Sequence, residues 1–305
     1  MDVSIIIVNY NTKDLIKNCI NSIYKQTKDI EYEIIVSDNG SVDGSIEMIK
    51  SEFPNVILIE NNANLGFGKA NNKGLQIARG KYIFYLNSDT ILLNNAVKLF
   101  FDYFETNTNK NIGALGCNLK NYNHENCFSY GNFGSAFGQI KCLSKLFTKT
   151  LLYSVKKSIF KIDFPDIHLT NNNYTELNGK VDYICGADLF MLNNKNAQFD
   201  PYYFLYYEEV DLQYNLYLQN LDRIIIEGPQ ILHLEGGSEK RQTKEVYYLS
   251  NISQINLLIS STYFFKKYKT SKVSIFLIKF LITLLWLNPY ISSETKKYIK
   301  QIKSI

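Results

Sequence analysis

The sequence of 305 residues predicts an α/β protein, with a doubly wound, mixed but mainly parallel sheet, helices on both faces and a helical C-terminal appendage. Three observations carry this expectation. Short apolar, β-branched runs alternate with segments of helical spacing through the first third of the chain, as βαβ units require. The early strands end in loops enriched in Asp, Asn and Gly, and right-handed crossovers put such loops along one edge of the sheet. The charge balance then changes sign. From Lys240 onward twelve Lys and Arg face two Glu, a balance of +10, whereas the upstream residues carry −6.

Residues 3–8 are a continuous apolar run interrupted only by Ser4, which reads as a parallel strand buried on both faces. Asn9-Tyr10-Asn11-Thr12 ends it, and residues 13–24 show helical spacing through Leu15, Cys19, Ile20 and Ile23. A second strand, 32–36, enters Ser37-Asp38-Asn39-Gly40-Ser41-Val42-Asp43-Gly44-Ser45. A short helix (46–53) and a third strand (56–60) follow. The next loop carries Gly66 and Gly68 but no third glycine in register, and it follows the third strand rather than the first. A dinucleotide fingerprint is therefore excluded. This loop opens a helix of small and polar residues, 70–78.

Residues 81–86 are aromatic and β-branched, a buried strand that runs into Asn87-Ser88-Asp89-Thr90. Asp89 stands at the carboxyl end of a core strand, where open α/β sheets bind ligands and where a divalent cation would meet a diphosphate. It equally suits the N-cap of a helix beginning near Asn94. Residues 92–104 read as an amphipathic helix and 112–117 as a strand. From 118 to 180 the pattern dissolves into Asn, Tyr, Gly and Lys. So long an irregular stretch is more often functional than structural. His124 and His168 lie in it and read as exposed loop histidines.

Order returns at 181–191, where Gly186-Ala187-Asp188 leads into a strand. Tyr202, Tyr203, Phe204, Tyr206 and Tyr207 then precede Glu208, Glu209 and Asp211 at the start of a helix, 210–219. The helix dipole alone favours carboxylates there. Three of them so close, behind aromatic rings that lower the local dielectric, also suit a general base. A strand at 223–226 is followed by His233, on a short apolar run beside Gly236 and Gly237.

Five cysteines without a CxxC or a close pair suggest neither a zinc site nor a disulfide framework. Met1 leads straight into a strand, with no basic region or cleavage site, so a cytoplasmic protein with reduced thiols is expected. The basic tail reads as helical over 245–265. Residues 273–287 are almost wholly apolar, interrupted by Lys279 and holding the one tryptophan, Trp286. That run is short of the roughly 20 residues a bilayer span needs. It fits an interfacial helix peripheral to an anionic membrane surface, each flanking lysine contributing about 1 kcal/mol. A core helix or a homodimer contact is the alternative. No nucleic-acid partner is expected.

Ser4-Ile5-Ile6-Ile7-Val8-Asn9-Tyr10-Asn11, the loop from Ser37 to Ser45, Asn62-Ala63-Asn64-Leu65-Gly66-Phe67-Gly68 and Leu86-Asn87-Ser88-Asp89 resemble, in order and spacing, the family 2 glycosyltransferases, nearest their rhamnosyltransferase-like branch. The resemblance implies the GT-A fold, a nucleotide-binding α/β sandwich, over residues 1–240, with 241–305 as the extension. It implies inversion at the anomeric centre of a nucleotide-sugar donor, dTDP-rhamnose or a UDP-hexose. The acceptor would be a glycan or lipid-linked glycan, as in bacterial surface polysaccharide assembly at the inner leaflet.

Carried over by position, Asp38 is implied to recognise the nucleotide base, with Asn9, Asn11, Asn64, Gly66, Lys69 and Asn87 around the nucleotide. Asp89 resembles the last residue of a D-x-D metal motif whose first position is here Asn87, and His233 completes the implied Mg²⁺ or Mn²⁺ site. With one charged ligand fewer, substrate phosphates and water fill the remaining positions. Gly186, Ala187 and Gly237 are implied donor or acceptor contacts, while Asp188 departs from the small or apolar residue expected there and reads as a donor-sugar contact or a turn residue. Glu209, in the place of an E-D-V-D-L motif's second acid, is the implied base, with Glu208 as its substitute and Asp211 orienting the helix or binding acceptor. Two rivals remain. A sugar nucleotidyltransferase would want a Gly-rich basic loop where Asn9-Tyr10-Asn11-Thr12 stands. A non-catalytic, membrane-associated sugar-binding subunit would explain why Asn87 and Glu209 are off pattern.

Overall fold

Strand β1 (Val3–Asn9) lies in the interior of the sheet, and its burial explains its composition. Ile5, Ile6 and Ile7 are all fully buried, so both faces are covered and no polar alternation survives. A computed structural model describes residues 1–108, 111–160, 174–234, 252–268, 270–287 and 293–305. The chain forms two units, one of residues 1–133, 173–204 and 208–241, the other of residues 134–172, 205–207 and 242–305.

The first unit is the predicted α/β layer structure. Helix α1 (Lys13–Gln26), β2 (Tyr32–Asp38), α2 (Ser45–Glu52), β3 (Ile57–Glu60), α3 (Phe67–Leu75) and β4 (Tyr82–Asn87) follow β1 in strict alternation. After them come β5 (Thr90–Leu92), α4 (Ala96–Thr106), β6 (Ile112–Cys117) and β7 (Tyr130–Gly131). The eight-stranded sheet runs β3-β2-β1-β4-β10-β6-β11-β8. Its last members are β8 (Gly179–Val181), β10 (Asp188–Leu192) and β11 (Asp222–Ile226). The two-residue β9 (Tyr183–Ile184) pairs instead with β7. Strands β1, β2, β3 and β4 are mutually parallel, while β10 runs antiparallel between β4 and β6. The sheet is thus mixed but mainly parallel. Two apolar layers cover its faces, one containing Ile5, Phe84, Phe100 and Phe190, the other Ile6, Tyr85, Phe199 and Leu216. Each such side chain contributes about 1.5–3 kcal/mol by leaving water.

Two local expectations are corrected. Residues 90–92 form β5 rather than the lead-in to a helix, because they pair antiparallel with β12 (Ile231–His233) far along the chain. Helix α4 accordingly starts at Ala96 behind Asn95, so Asp89 does not cap it. The stretch read as irregular contains a 25-residue helix, α5 (Ala136–Phe160). Its buried Leu143, Leu146 and Thr150 recur every three to four positions, but intervening lysines and threonines dilute the pattern.

That helix belongs to the second unit, with α7 (Ile252–Lys267) and α8 (Lys272–Leu287); α6 (Glu208–Leu218) returns the chain to the first unit. Helix α8 buries Ile278, Ile282, Leu285 and Trp286 on one face. No helix among the described residues is long and apolar enough to cross a membrane.

Candidate active site

Parallel pairing sets the strand ends level. Asn9 pairs with Asp38 and Val8 with Asn87, so three polar residues leave the sheet side by side. Asp38 is fully buried, and both its oxygens are engaged. Oδ2 accepts from Asn9 Nδ2 at 2.7 Å, and Oδ1 accepts from the Gly40 and Ser41 amides at 3.0 and 2.8 Å. The carboxylate implied to read the base therefore lies beneath its loop and builds it. Asn9 Oδ1 accepts from Thr12 Oγ1 at 2.6 Å, tying the β1 loop to the same network. Asn11 is exposed, in the left-handed region at φ 54°, and its Oδ1 accepts from the Val42 amide at 2.8 Å. The polar groups of the two loops are thus tied to one another before any ligand arrives, at little further ordering cost.

The next loop is pinned by glycine geometry. Gly66 has φ +82°, and a Cβ there would meet the Phe204 carbonyl oxygen at 2.1 Å. That carbonyl accepts from the Phe67 amide at 3.0 Å, so only glycine permits this approach. Asn64 Oδ1 accepts from the Gly66 amide at 3.0 Å, and Asn39 Nδ2 donates to Gly66 O at 3.2 Å. Lys69 is exposed on α3.

Pairing of β5 with β12 brings the two implied metal ligands together across 144 positions of sequence, since His233 pairs with Thr90 and the Leu234 amide donates to Asp89 O at 2.9 Å. Asp89 Oδ1 lies 3.4 Å from His233 Nε2, with the side chains only 10 % and 13 % exposed. Asn87 Nδ2 is 3.5 Å from the same nitrogen. Among the described residues there is no group of three or more His, Cys, Asp or Glu able to hold a metal. One carboxylate and one imidazole converging at a strand end fit a divalent cation whose other positions are filled by phosphate oxygens and water. Gly237 lies outside the described residues.

The carboxylates at the start of α6 separate by burial. Asp211 is 1 % exposed and accepts from the Tyr203 hydroxyl at 3.0 Å, while Glu208 is 3 % exposed beneath Gly68. Glu209 is only partly buried. Burial pushes its carboxyl above the usual range, and its own and the Val210 amides at the helix start pull it only partly back. A Cβ on Gly186 would lie 3.6 Å from Glu209 Cβ, so Gly186 forms the wall beside that carboxyl. Tyr206 and Tyr207, at φ 67° and 68°, turn the chain into α6, an uncommon pair of left-handed non-glycine residues next to the candidate base.

Asp188 sits at the head of β10, where Ala187 O accepts from the Asn87 amide at 3.1 Å. It is fully buried, accepting from the Cys117 amide at 2.7 Å. Burial pushes its pKa up to about 8, so the carboxyl is mostly neutral at pH 7. Asp188 is thus a buried partner of the Cys117 amide, close enough to His233 for the two to interact electrostatically.

Sequence reading missed the members that organise these loops. Asp43 accepts from the Lys13 amide at 2.8 Å and from the Ser45 amide at 3.1 Å, joining the starts of α1 and α2. Asn72 brackets Phe199, accepting from its amide at 2.9 Å and donating to its carbonyl at 2.8 Å. The first was visible as an Asx turn two residues before a helix. The second depends on a partner 127 positions away.

Loops at the carboxyl ends of a mainly parallel sheet, an Asp–His pair and a carboxylate at a helix start make up the candidate site of an α/β fold of the GT-A kind. Solved structures share the fold. A mannosyltransferase of Pyrobaculum calidifontis in complex with GDP-Man and Mn²⁺ aligns with a TM-score of 0.55 at 14 % identity, over 99 % of this chain and 73 % of its own. TarS 1–349 of S. aureus in complex with UDP aligns at 0.51 and 15 % identity, over 99 % and 71 %.

Residues 4–133 match the family model described as glycosyl transferase family 2. A poly(ribitol-phosphate) beta-glucosyltransferase of Bacillus spizizenii is 36 % identical over 112 residues, 35 % of this chain and 18 % of that protein. The Escherichia coli UDP-Glc:alpha-D-GlcNAc-diphosphoundecaprenol beta-1,3-glucosyltransferase WfaP is 40 % identical over 113 residues, 33 % and 44 % of the two chains. These matches span less than half the length of either relative.

Proposed function

We propose that the protein transfers a sugar from a nucleotide-sugar donor to a glycan hydroxyl, with inversion at the anomeric carbon. The observation that carries this reading is the convergence of Asp89 and His233, 3.4 Å apart at the carboxyl end of the sheet. The loops after β1 and β2 flank the nucleoside, held by Asp38. Asp89 and His233 hold Mg²⁺ or Mn²⁺, which supplies Lewis-acid stabilisation of charge on the departing diphosphate. Glu209 takes the acceptor proton as the hydroxyl oxygen bonds to the anomeric carbon and the bond from that carbon to the phosphate oxygen breaks. The UDP-Glc in one relative's name favours a UDP-hexose over dTDP-rhamnose, and the relatives' names favour a surface-polymer acceptor. Incubation with UDP-glucose, UDP-galactose, UDP-N-acetylglucosamine and dTDP-rhamnose tests this. Mn²⁺-dependent release of nucleoside diphosphate from one donor is expected, and no release from any of the four would overturn the assignment.

The helical extension is read as the contact with an anionic bilayer. Support comes from the face of α8 opposite its buried residues, where Val273, Phe276, Phe280 and Leu287 are 68, 65, 49 and 52 % exposed. Their spacing is that of one helix face, and Lys266, Lys267 and Lys272 stand close by in sequence. Sedimentation with phosphatidylglycerol vesicles is expected for the parent protein and lost with Phe276→Ser and Phe280→Ser combined. Undiminished sedimentation of that variant argues against the contact.

A further inference from the structure

Along the β8 edge of the sheet lies a cavity of about 630 Å³, within the range of ligand pockets. Asn111, which precedes β6, and Asn220, which precedes β11, line it at the amino ends of these strands. Leu177, bonded to Asn118 just past the carboxyl end of β6, lines it further along. None of the residues placed in the candidate active site lines it.

Its charged groups are already engaged. Lys180 Nζ is 2.8 Å from Asp222 Oδ2. Arg223 donates from Nε to the Asp182 carbonyl at 2.9 Å and from Nη1 to the Leu221 carbonyl at 2.6 Å. Asp182 Oδ2 accepts from the Phe133 amide at 3.1 Å. Two cations and two carboxylates leave no net charge to select a phosphate or a cation. The uncommitted chemistry is of another kind. The amides of Asn111, Asn132 and Asn220 can each donate and accept, as a hydroxyl requires of its partner. The aromatic wall is Tyr217, 50 % exposed and backed by Phe133 at 5.7 Å and Tyr214 at 5.6 Å. The Arg223 guanidinium lies 5.5 Å from its ring centroid and 5.6 Å from that of Phe133. The ring is thus fixed before any ligand arrives, which lowers the ordering cost of binding.

An exposed, preset aromatic face beside neutral amides suits a ligand with flat C–H faces and many hydroxyls. We propose that this cavity is a second carbohydrate site, taking a neutral pyranose unit stacked on Tyr217, with its hydroxyls bonded to the asparagine amides. That the unit belongs to the growing acceptor polymer, gripped away from its reacting end, rests on the transferase reading; sugar binding itself does not.

Saturation-transfer NMR with the methyl glycosides of glucose, galactose, N-acetylglucosamine and rhamnose tests it, using the full chain. At least one glycoside at millimolar concentration is expected to receive saturation. Tyr217→Ala should weaken that binding about tenfold, the loss of one aromatic contact of about 1.4 kcal/mol. Asn132→Ala, at an exposed position, should weaken it less, with the melting temperature kept. UDP affinity and donor turnover, followed in the same samples, should be unchanged in both variants. Absence of saturation in all four glycosides, or equal saturation in both variants and the parent, overturns the second site. Loss of UDP binding in the parent would instead count against the transferase reading alone.

Discussion

Glu209→Gln lowers sugar transfer by about 10²- to 10⁴-fold, the usual contribution of a general base. The substitution keeps shape and volume and removes only basicity. Nucleotide binding at the strand ends should stay within a factor of about two, because a base acts on the reacting proton and not on the donor. The pH profile makes the assignment specific. Burial holds the Glu209 carboxyl above its usual value of 4.5. Below its raised pKa it is protonated and unable to accept, so the rate falls with falling pH from a limb lying above 4.5, and the Gln variant lacks that limb. Stability should move the other way. A carboxyl whose pKa is raised by folding holds its proton more tightly folded than unfolded, so its stabilising contribution is full below the unfolded pKa and is lost as pH rises through the folded one. Removing the charge should therefore leave the melting temperature at neutral pH unchanged or higher. Loss of activity without loss of stability is the signature of a residue kept for chemistry. Turnover equal to the parent's would assign the proton transfer elsewhere. Glu208 is the control, because it is 3 % exposed and its replacement should unfold before it informs.

Asp89→Ala lowers turnover by about 10²- to 10³-fold, the effect of removing one preorganised charge partner from the departing group. Asp89→Asn should lose nearly as much, since it keeps the volume and the backbone pairing of Leu234 with Asp89 but not the charge. The loss should deepen at low Mn²⁺ and be partly relieved at high Mn²⁺. An Asn variant with parental activity at every Mn²⁺ concentration would mean that Asp89 only shapes the turn between β4 and β5. That alternative has little room, because Asp89 caps no helix and its carboxylate faces His233 at 3.4 Å.

The legible part of this fold was the part encoded locally. β1, β2 and β4 each carry an apolar run and a polar terminator in one stretch of sequence, so strand ends and their loops could be read directly, and the sheet is mixed and mainly parallel as expected. What escaped depends on distant partners. β5 looks helical until Ile231 and His233 pair with it. Helix α5 was hidden because its apolar residues lie among lysines and threonines. The site shows the same division. That Asp38 belongs at a strand end was evident from sequence. That its oxygens are consumed by Asn9, Gly40 and Ser41 follows only from three-dimensional packing. Glu208, Glu209 and Asp211 were told apart in sequence only by their places in the resembled motif. Their exposures separate them, because one helix start turns Asp211 toward Tyr203 and leaves Glu209 beside Gly186.

On the proposed reading, Asp89 and His233 are the protein's ligands at the metal position, and phosphate oxygens supply the rest of the coordination. Calorimetric titration of Mn²⁺, first into the protein alone and then with saturating UDP or dTDP, measures this directly. The expected result is weak binding to the protein alone and binding at least about tenfold tighter with a nucleoside diphosphate, the nucleotide gaining the same factor from Mn²⁺. Tight Mn²⁺ binding without nucleotide, or no binding of either nucleotide in its presence, would contradict the account.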